Sequence, residues 1–322
     1  MIKRRALITG ITGQDGYYLS KLLLEEGYEV YGMIRRHNRV EGELGTVKSL
    51  ESELRFDYGD LTDASSLEAI IHRVKPHEVY NLGAQSHVKI SFDTPIYTTQ
   101  VNALGPVYLM EAVRRITPHA RFYQASTSEM FGNSIDIDGF QREITPMRPV
   151  SPYGVAKLYA HQMVNVYRVQ YKLFACSGIL FNHESPLRGD LFVTKKITNF
   201  IRKMNGLDWN YLTKERLKLG NLDARRDWGH AEDYVRGMWL MLQHSTPDDY
   251  VLSTGKTYSI KDFLTIAFGN RVWKEWVDVD QVLLRPEDVH HLMGDSTKAR
   301  KVLGWKPQHD IYSLVNSMIE GL

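Results

Sequence analysis

The first half of the chain alternates two hydrophobic rhythms. Residues 6–9 form a short apolar run that ends at a glycine, and 14–26 carry apolar side chains at helical spacing until Gly27 stops them. Residues 28–34 read as a second buried strand, and further short apolar runs follow at 54–58, 78–82 and 121–125. Helical patterns over 62–74 and 96–116 lie between them, and a helix over 153–171 leads into a strand at 174–180. Short strands alternating with helices of this length predict βαβ units and a parallel sheet. The expected fold class is therefore α/β, a Rossmann-like doubly wound sheet that binds a dinucleotide.

After about residue 182 the rhythm breaks. Residues 183–226 mix Pro, Gly, Asn and basic residues around one amphipathic segment near 193–205, and 259–322 offers short helices and loops. This divides the chain into a nucleotide-binding domain over 1–182, to which 229–245 returns, and a smaller interleaved C-terminal substrate lobe over 183–322.

Composition narrows the function classes. Of 322 residues, 40 are Lys or Arg and 38 Asp or Glu, a net charge of +2 that argues against a nucleic-acid or acidic-membrane coat. The single cysteine, Cys176, rules out an intramolecular disulfide and a Cys-based zinc cage. No apolar run nears the roughly 18 residues of a membrane span, and residues 1–5 lack the apolar stretch of a signal peptide. The expectation is a soluble cytoplasmic protein with no metal. His290-His291 has no partner at ligand spacing.

The first strand runs into Gly10-Ile11-Thr12-Gly13-Gln14-Asp15-Gly16, with glycines three apart at the entrance of an amphipathic helix. Missing Cβ atoms let a backbone approach a pyrophosphate, and the helix N-terminus supplies amide donors. Many NAD sites place a carboxylate at the end of the second strand. Here Arg35-Arg36 stands there, so a 2′-phosphate is favoured and NADP is the expected cofactor. Asp60-Leu61 after the third strand and Asn81 to Ala84 at the end of the fourth fit the same groove.

Ser126-Thr127-Ser128-Glu129 follows the fifth strand, and Ser151-Pro152-Tyr153-Gly154-Val155-Ala156-Lys157 sets a tyrosine and a lysine four apart, on one helix face. An ammonium near a phenol favours the phenolate, so the Tyr153 pKa is expected below its ordinary value of about 10. Such a tyrosine can take a sugar hydroxyl proton while hydride leaves for a nicotinamide. Glu129 adds a carboxylate able to remove a C5 proton acidified by a C4 ketone and to expel the C6 hydroxyl as water.

These segments, with 181–189 (FNHESPLRG) and 219–230 (LGNLDARRDWGH), closely resemble the GDP-mannose 4,6-dehydratases of the extended short-chain dehydrogenase/reductases over nearly the whole chain. The resemblance implies conversion of GDP-mannose to GDP-4-keto-6-deoxymannose plus water, a precursor of GDP-fucose-type deoxy sugars, with tightly held and recycled NADP. It implies that Thr127 bonds the C4 oxygen, Tyr153 is the base, Lys157 holds the nicotinamide ribose, and Glu129 handles the C5 proton. The implied cofactor residues are Gly10, Thr12, Gly13, Gln14, Asp15, Gly16, Arg35, Asp60, Leu61, Leu82, Gly83, Ala84, Gln85, Ser86, Tyr97, Lys157, His183 and Arg188. For the GDP-sugar they are Ser86, Asn182, Val193, Lys196, Gly220, Arg226, Arg285 and Asp288.

Two stretches, 37–50 and 269–282, depart from the family pattern, and Asp288 replaces a glutamate. Helices near 96–116 and 153–171 are expected to pair in a homodimer or homotetramer. Open alternatives are a 4,6-dehydratase for another GDP-sugar such as GDP-manno-heptose, a 4-keto reductase, and a silent NADP-binding sensor.

Overall fold

The computed structural model describes residues 3–35, 44–205, 216–284 and 289–321. Strand β1 (Arg5–Thr9) is almost wholly buried and leads through the glycine turn into α1 (Gln14–Glu25). Then come β2 (Glu29–Ile34), β3 (Arg55–Tyr58), α2 (Ala64–Val74) and β4 (Glu78–Asn81). Helix α2 begins where the Asp63 carboxylate accepts from the Ser65 and Ser66 amides at 3.0 and 3.4 Å, satisfying donors that the first turn leaves open.

The span expected as one helix over 96–116 is interrupted. After a short α3 (Val88–Asp93), it comprises α4 (Pro95–Thr99), a π turn over Gln100–Leu104, and α5 (Gly105–Ile116). Pro95 and Pro106 occupy helix starts, where a missing N–H costs nothing. Strand β5 (Arg121–Thr127), α6 (Pro152–Gln170) and β6 (Ala175–Leu180) complete the regular alternation.

Seven parallel strands form the sheet, six of them in the order β6-β5-β4-β1-β2-β3. The seventh, β11 (Asp249–Leu252), gave no strand signal in the sequence; it pairs with β6 from Ser177 to Leu180. Before it, α8 (Ala231–Gln243) packs with α1 on one face of the sheet, around Leu19, Leu23, Val235 and Met238. Helices α2, α5 and α6 cover the other face, around Leu67, Leu109, Val113 and Val164. Both faces are sealed, as a parallel sheet requires.

The remaining elements sit beyond the carboxyl ends of the strands. Short strands pair there as β7 (Asn182–Glu184) with β10 (Trp228–His230), β8 (Leu217–Leu219) with β13 (Val277–Val279), and β9 (Arg225–Arg226) with β12 (Tyr258–Ser259). Helices α7 (Val193–Asn205), α9 (Ile260–Phe268) and α11 (Ile311–Glu320) enclose a separate core of Ile197, Phe263, Leu314 and Met318, while α10 (Thr297–Leu303) lies against β11. Among the described residues no helix is long and apolar enough to cross a membrane.

Candidate active site

The turn after β1 is built for close approach. Gly10 has φ +69°, and a Cβ there would lie 2.7 Å from the Gly83 amide at the end of β4, so the β1 and β4 exits touch through backbone alone. Gly13 caps α1 without any side-chain bond, leaving the first-turn amides of α1 facing the space beyond the sheet. That cradle, at the point where strand order reverses between β1 and β4, fits a dinucleotide pyrophosphate.

Around the cradle the sequence-predicted residues are tied to one another. Thr9 Oγ1 donates to Asn81 Oδ1 at 2.5 Å and accepts from Gly83 N at 3.1 Å. Thr12 O accepts from Thr46 Oγ1 at 3.1 Å. Gln14 Nε2 donates to His183 O at 3.1 Å, and Gln14 Oε1 accepts from Ser185 Oγ at 2.8 Å. His183 Nε2 lies 2.8 Å from Asp15 Oδ2, while its Nδ1 faces Phe181 O at 2.8 Å. Burial by itself would raise the Asp15 carboxyl, but the His183 ring and its hydrogen bond, with Gln14 and Arg188, hold it below the ordinary range. Burial would lower His183, and the Asp15 charge and bond overcome it and raise the ring. Both shifts favour a carboxylate paired with an imidazolium.

At the β2 end, Arg35 Nη1 donates to Tyr97 OH at 2.5 Å. Asp60 Oδ1 accepts from the Thr62 amide and hydroxyl, each at 2.8 Å, closing the turn into α2. Leu61 is buried beneath Gly83. Arg35, Tyr97, Asp60 and Leu61 stand outside the lining of the reaction cleft. Asn102, which sequence reasoning missed, clamps the 82–86 segment: its Oδ1 accepts from Gln85 N and its Nδ2 donates to Gln85 O, both at 2.8 Å.

The cleft itself, of about 150 Å³, brings together Asp15, Ser86, Thr127, Glu129, Tyr153 and Lys157, with Leu82, Ala84, His183 and Arg188 around them. Local chemistry explains the placement. Ser151 Oγ accepts from Gly154 N at 3.0 Å and Pro152 opens α6, so Tyr153 falls in the first helical turn. A Cβ on Gly154 would lie 2.9 Å from Glu129 O, so only glycine lets α6 start against the Ser128–Met130 turn. Thr127 Oγ1 accepts from Glu129 N at 3.2 Å and thereby sets that turn.

Lys157 Nζ donates to Ala125 O at 2.9 Å and lies 5.9 Å from the centre of the Tyr153 ring. The expectation that the ammonium depresses the tyrosine is corrected here. Burial pushes Tyr153 up to about 12; a hydrogen bond with Thr127 works against this, Glu129 and Asp15 add to it, and Arg188 opposes it. Burial also pulls Lys157 down to about 8, with Asp15 working the other way. Desolvation outweighs the neighbouring charge for both groups in the free chain.

A second cavity, of about 230 Å³, adjoins the first. Asn182, Val193, Lys196, Gly220 and Arg226 line it, as expected, together with Trp228 and Lys89. Val88, Glu129, Asn182 and Phe192 line both cavities. Phe192 carried no sequence signal; the Arg188 guanidinium lies 3.6 Å above its ring, and the His87 ring is centred 5.5 Å away. Arg36, Arg285 and Asp288 lie outside the described residues.

Among the described residues, His230, Glu232 and His309 are the one trio within mutual ligand reach. His230 Nδ1 is occupied by the Glu232 amide, His309 Nδ1 faces Asp233, and the two rings stack at 4.3 Å. That is the geometry of a helix cap and a packed pair.

The sequence model of the family described as GDP-mannose 4,6 dehydratase matches residues 7–318. The human GDP-mannose 4,6 dehydratase is 47% identical over 342 residues, covering 98% of this chain and 90% of that protein. Among solved structures, Thermotoga maritima UDP-glucose 4-epimerase with UDP-glucose superposes with a TM-score of 0.83 at 23% identity, over 98% of this chain and 97% of the other. RMD from Pseudomonas aeruginosa, complexed with NADPH, gives 0.77 at 21%, over 99% and 98%. With a sequence match spanning both cavities and every segment of the cleft, the chain belongs to the GDP-mannose 4,6-dehydratase family.

Proposed function

We propose that this GDP-mannose 4,6-dehydratase seats its hexose between the two cavities, with Glu129 as the carboxylate at their junction. The observation that carries this reading is the position of Glu129. It lines the cleft that holds Thr127, Tyr153 and Lys157, and also the cavity that holds Lys196 and Arg226. A diphosphate gripped by those cations sends its sugar toward Tyr153.

A nicotinamide cofactor held in the cleft supplies the acceptor and later the donor of one hydride. The chain does the rest. Thr127 hydrogen-bonds the C4 oxygen and Tyr153 removes its proton. Lys157 holds the cofactor ribose and adds positive charge beside the phenol. Glu129 takes the C5 proton, now acidified by the C4 ketone, and delivers a proton to O6, so that water departs. Hydride return at C6 and protonation of C5, which balances the proton taken from O4, would complete the product with no net redox change.

NADP is the finer assignment, supported by Arg35 and Tyr97 at the β2 end, where a 2′-phosphate meets a guanidinium. We assign the cytoplasm as the compartment, in keeping with one buried free thiol. We divide the chain into a nucleotide domain, 1–182 with α8 and β11, and a GDP-sugar lobe made of the rest. Self-association through α6 and α3–α4 fits the exposed stripe of Val155, Tyr159 and Val166 beside Phe92 and Ile96. The test is to release and identify the bound cofactor from purified protein, then compare rates with GDP-mannose and GDP-manno-heptose. NADP and preference for mannose are expected.

A further inference from the structure

Beneath the cleft, three polar side chains on three adjacent strands are wholly buried: Thr9 on β1, Asn81 on β4 and Gln124 on β5, each 0% exposed. Bulk water does not reach them, so each must find its partners in the chain. They find them along one line. The Gly83 amide donates to Thr9 Oγ1 at 3.1 Å, and the Thr9 hydroxyl donates to Asn81 Oδ1 at 2.5 Å. Asn81 Nδ2 donates to Gln124 Oε1 at 2.8 Å, and Gln124 Nε2 donates to Ala125 O at 3.0 Å. The same carbonyl accepts from Lys157 Nζ at 2.9 Å.

The Ala125 carbonyl is open to side chains because the sheet leaves it so. Along β5, alternate residues turn their backbone groups to β4, as Arg121 does when its amide donates to His77 O. Ala125 faces the same way, but the β4–β5 register ends one residue earlier, at Asn81 against Gln124. Lys157 reaches that carbonyl from α6, is 3% exposed, and makes no other hydrogen bond among the described residues. The orientation of both amides follows from the end of the line. Ala125 O can only accept, so Gln124 must turn Nε2 toward it and Oε1 toward Asn81, which in turn must present Nδ2. Gln124 itself is not among the residues that line the cleft.

We propose that Gln124 is a positioning residue for Lys157: its amide, oriented through Asn81 and Thr9, fixes the Ala125 carbonyl that holds the ammonium beside Tyr153. The inference rests on the role given above to Lys157. An ammonium has three donors, and one fixed acceptor directs the first of them, which leaves the other two for the cofactor ribose. Burial pulls Lys157 down to about 8, with Asp15 the charge that opposes it, so losing that acceptor would cost it charge near neutral pH. The line also joins Lys157 to the Gly10–Gly83 contact, so the two ends of a dinucleotide, pyrophosphate and nicotinamide ribose, are placed by one buried frame. Such a frame is rigid only while every polar member is satisfied.

The test uses the full-length protein with its cofactor and GDP-mannose. Gln124→Met matches the side chain in length but can neither accept from Asn81 nor donate to Ala125 O. Asn81→Leu leaves Gln124 in place and frees its amide to turn. Gln124→Met is expected to lower kcat about tenfold with KM for GDP-mannose little changed. It should also move the basic rise of the pH–rate profile to higher pH, because the phenol loses a well-placed cation. Asn81→Leu should act in the same direction, and the double variant should be no slower than Gln124→Met alone, since one line is already broken. Wild-type rate and pH profile in Gln124→Met, with Lys157→Met inactive, would refute the positioning role and leave the Lys157 role standing; an active Lys157→Met would overturn both. A lower kcat with an unmoved pH profile, or effects of the two substitutions that multiply, assigns Gln124 to packing and overturns the proposal. Should Gln124→Met fail to fold, the pH–rate profile of Asn81→Leu decides alone, and an unmoved rise overturns the proposal.

Discussion

His183 Nε2 sits 2.8 Å from Asp15 Oδ2, so the segment after β6 is tied to the first turn of α1 by a part-buried pair. Asp15 faces the place where a pyrophosphate fits, and an unpaired carboxylate there would repel it. The imidazolium removes that conflict.

The two shifts set a pH window. His183 titrates above its ordinary 6.5, so its stabilisation is complete below that value and is lost as pH rises through the folded value. Asp15 titrates below its ordinary 3.8, so its stabilisation is present above that value and is lost as pH falls through the folded one. Asp15→Asn should therefore destabilise the chain by about 3 kcal/mol near pH 6, and by progressively less in alkaline solution. Denaturant unfolding of both proteins across the pH range measures the difference.

The role proposed for Lys157 works against stability. Its folded value of about 8 lies below the ordinary 10.5, so the cost of burying the ammonium is full below pH 8 and fades as pH rises toward 10.5. Lys157→Met should inactivate the enzyme yet stabilise the cofactor-free chain by about 2 kcal/mol at neutral pH. Thermal melting at pH 7 and pH 10 checks the sign, with the gain shrinking at the higher pH.

Thr127 is the side chain whose hydrogen bond opposes the burial shift on Tyr153. Thr127→Val is expected to raise the Tyr153 pKa further and to cut kcat by about 10²-fold at neutral pH. In a pH–rate profile the basic rise should move to higher pH than in the wild type.

Arg35 and Tyr97, joined at 2.5 Å, stand where the proposed NADP would set its 2′-phosphate. Arg35→Ala should weaken NADP about tenfold, the worth of one charge-assisted bond, and leave NAD affinity nearly unchanged. Titration calorimetry with both dinucleotides on protein stripped of cofactor separates these outcomes.

Much of this was legible in the chain because it is local. The turn from Gly10 to Gly16 and the Ser151 cap before Tyr153 fix backbone geometry within a few residues, and the Tyr153–Lys157 stripe follows from helical periodicity. Other features are tertiary. The four residues Asp249–Leu252 become a strand because β6 offers an open edge and α8 and α10 pack beside it. The π turn at 100–104 brings Asn102 to Gln85, a pairing that apolar spacing does not encode. Phe192 gains its place between the cavities from Arg188 and His87, contacts that local spacing does not encode. The Tyr153 shift runs opposite to the expectation because a neighbouring charge can be seen in sequence, whereas the desolvation that outweighs it cannot.

In the proposed mechanism Glu129 converts a transient C4 oxidation into loss of water. Mass analysis of the nucleotide sugar formed from GDP-mannose by the wild type and by Glu129→Gln tests it most directly. The wild type should give a 4-keto product lighter by one water without net use of added reduced cofactor, and Glu129→Gln should form it about 10²-fold more slowly. A wild-type product that retains its water, or a Glu129→Gln rate equal to the wild type, would contradict the account.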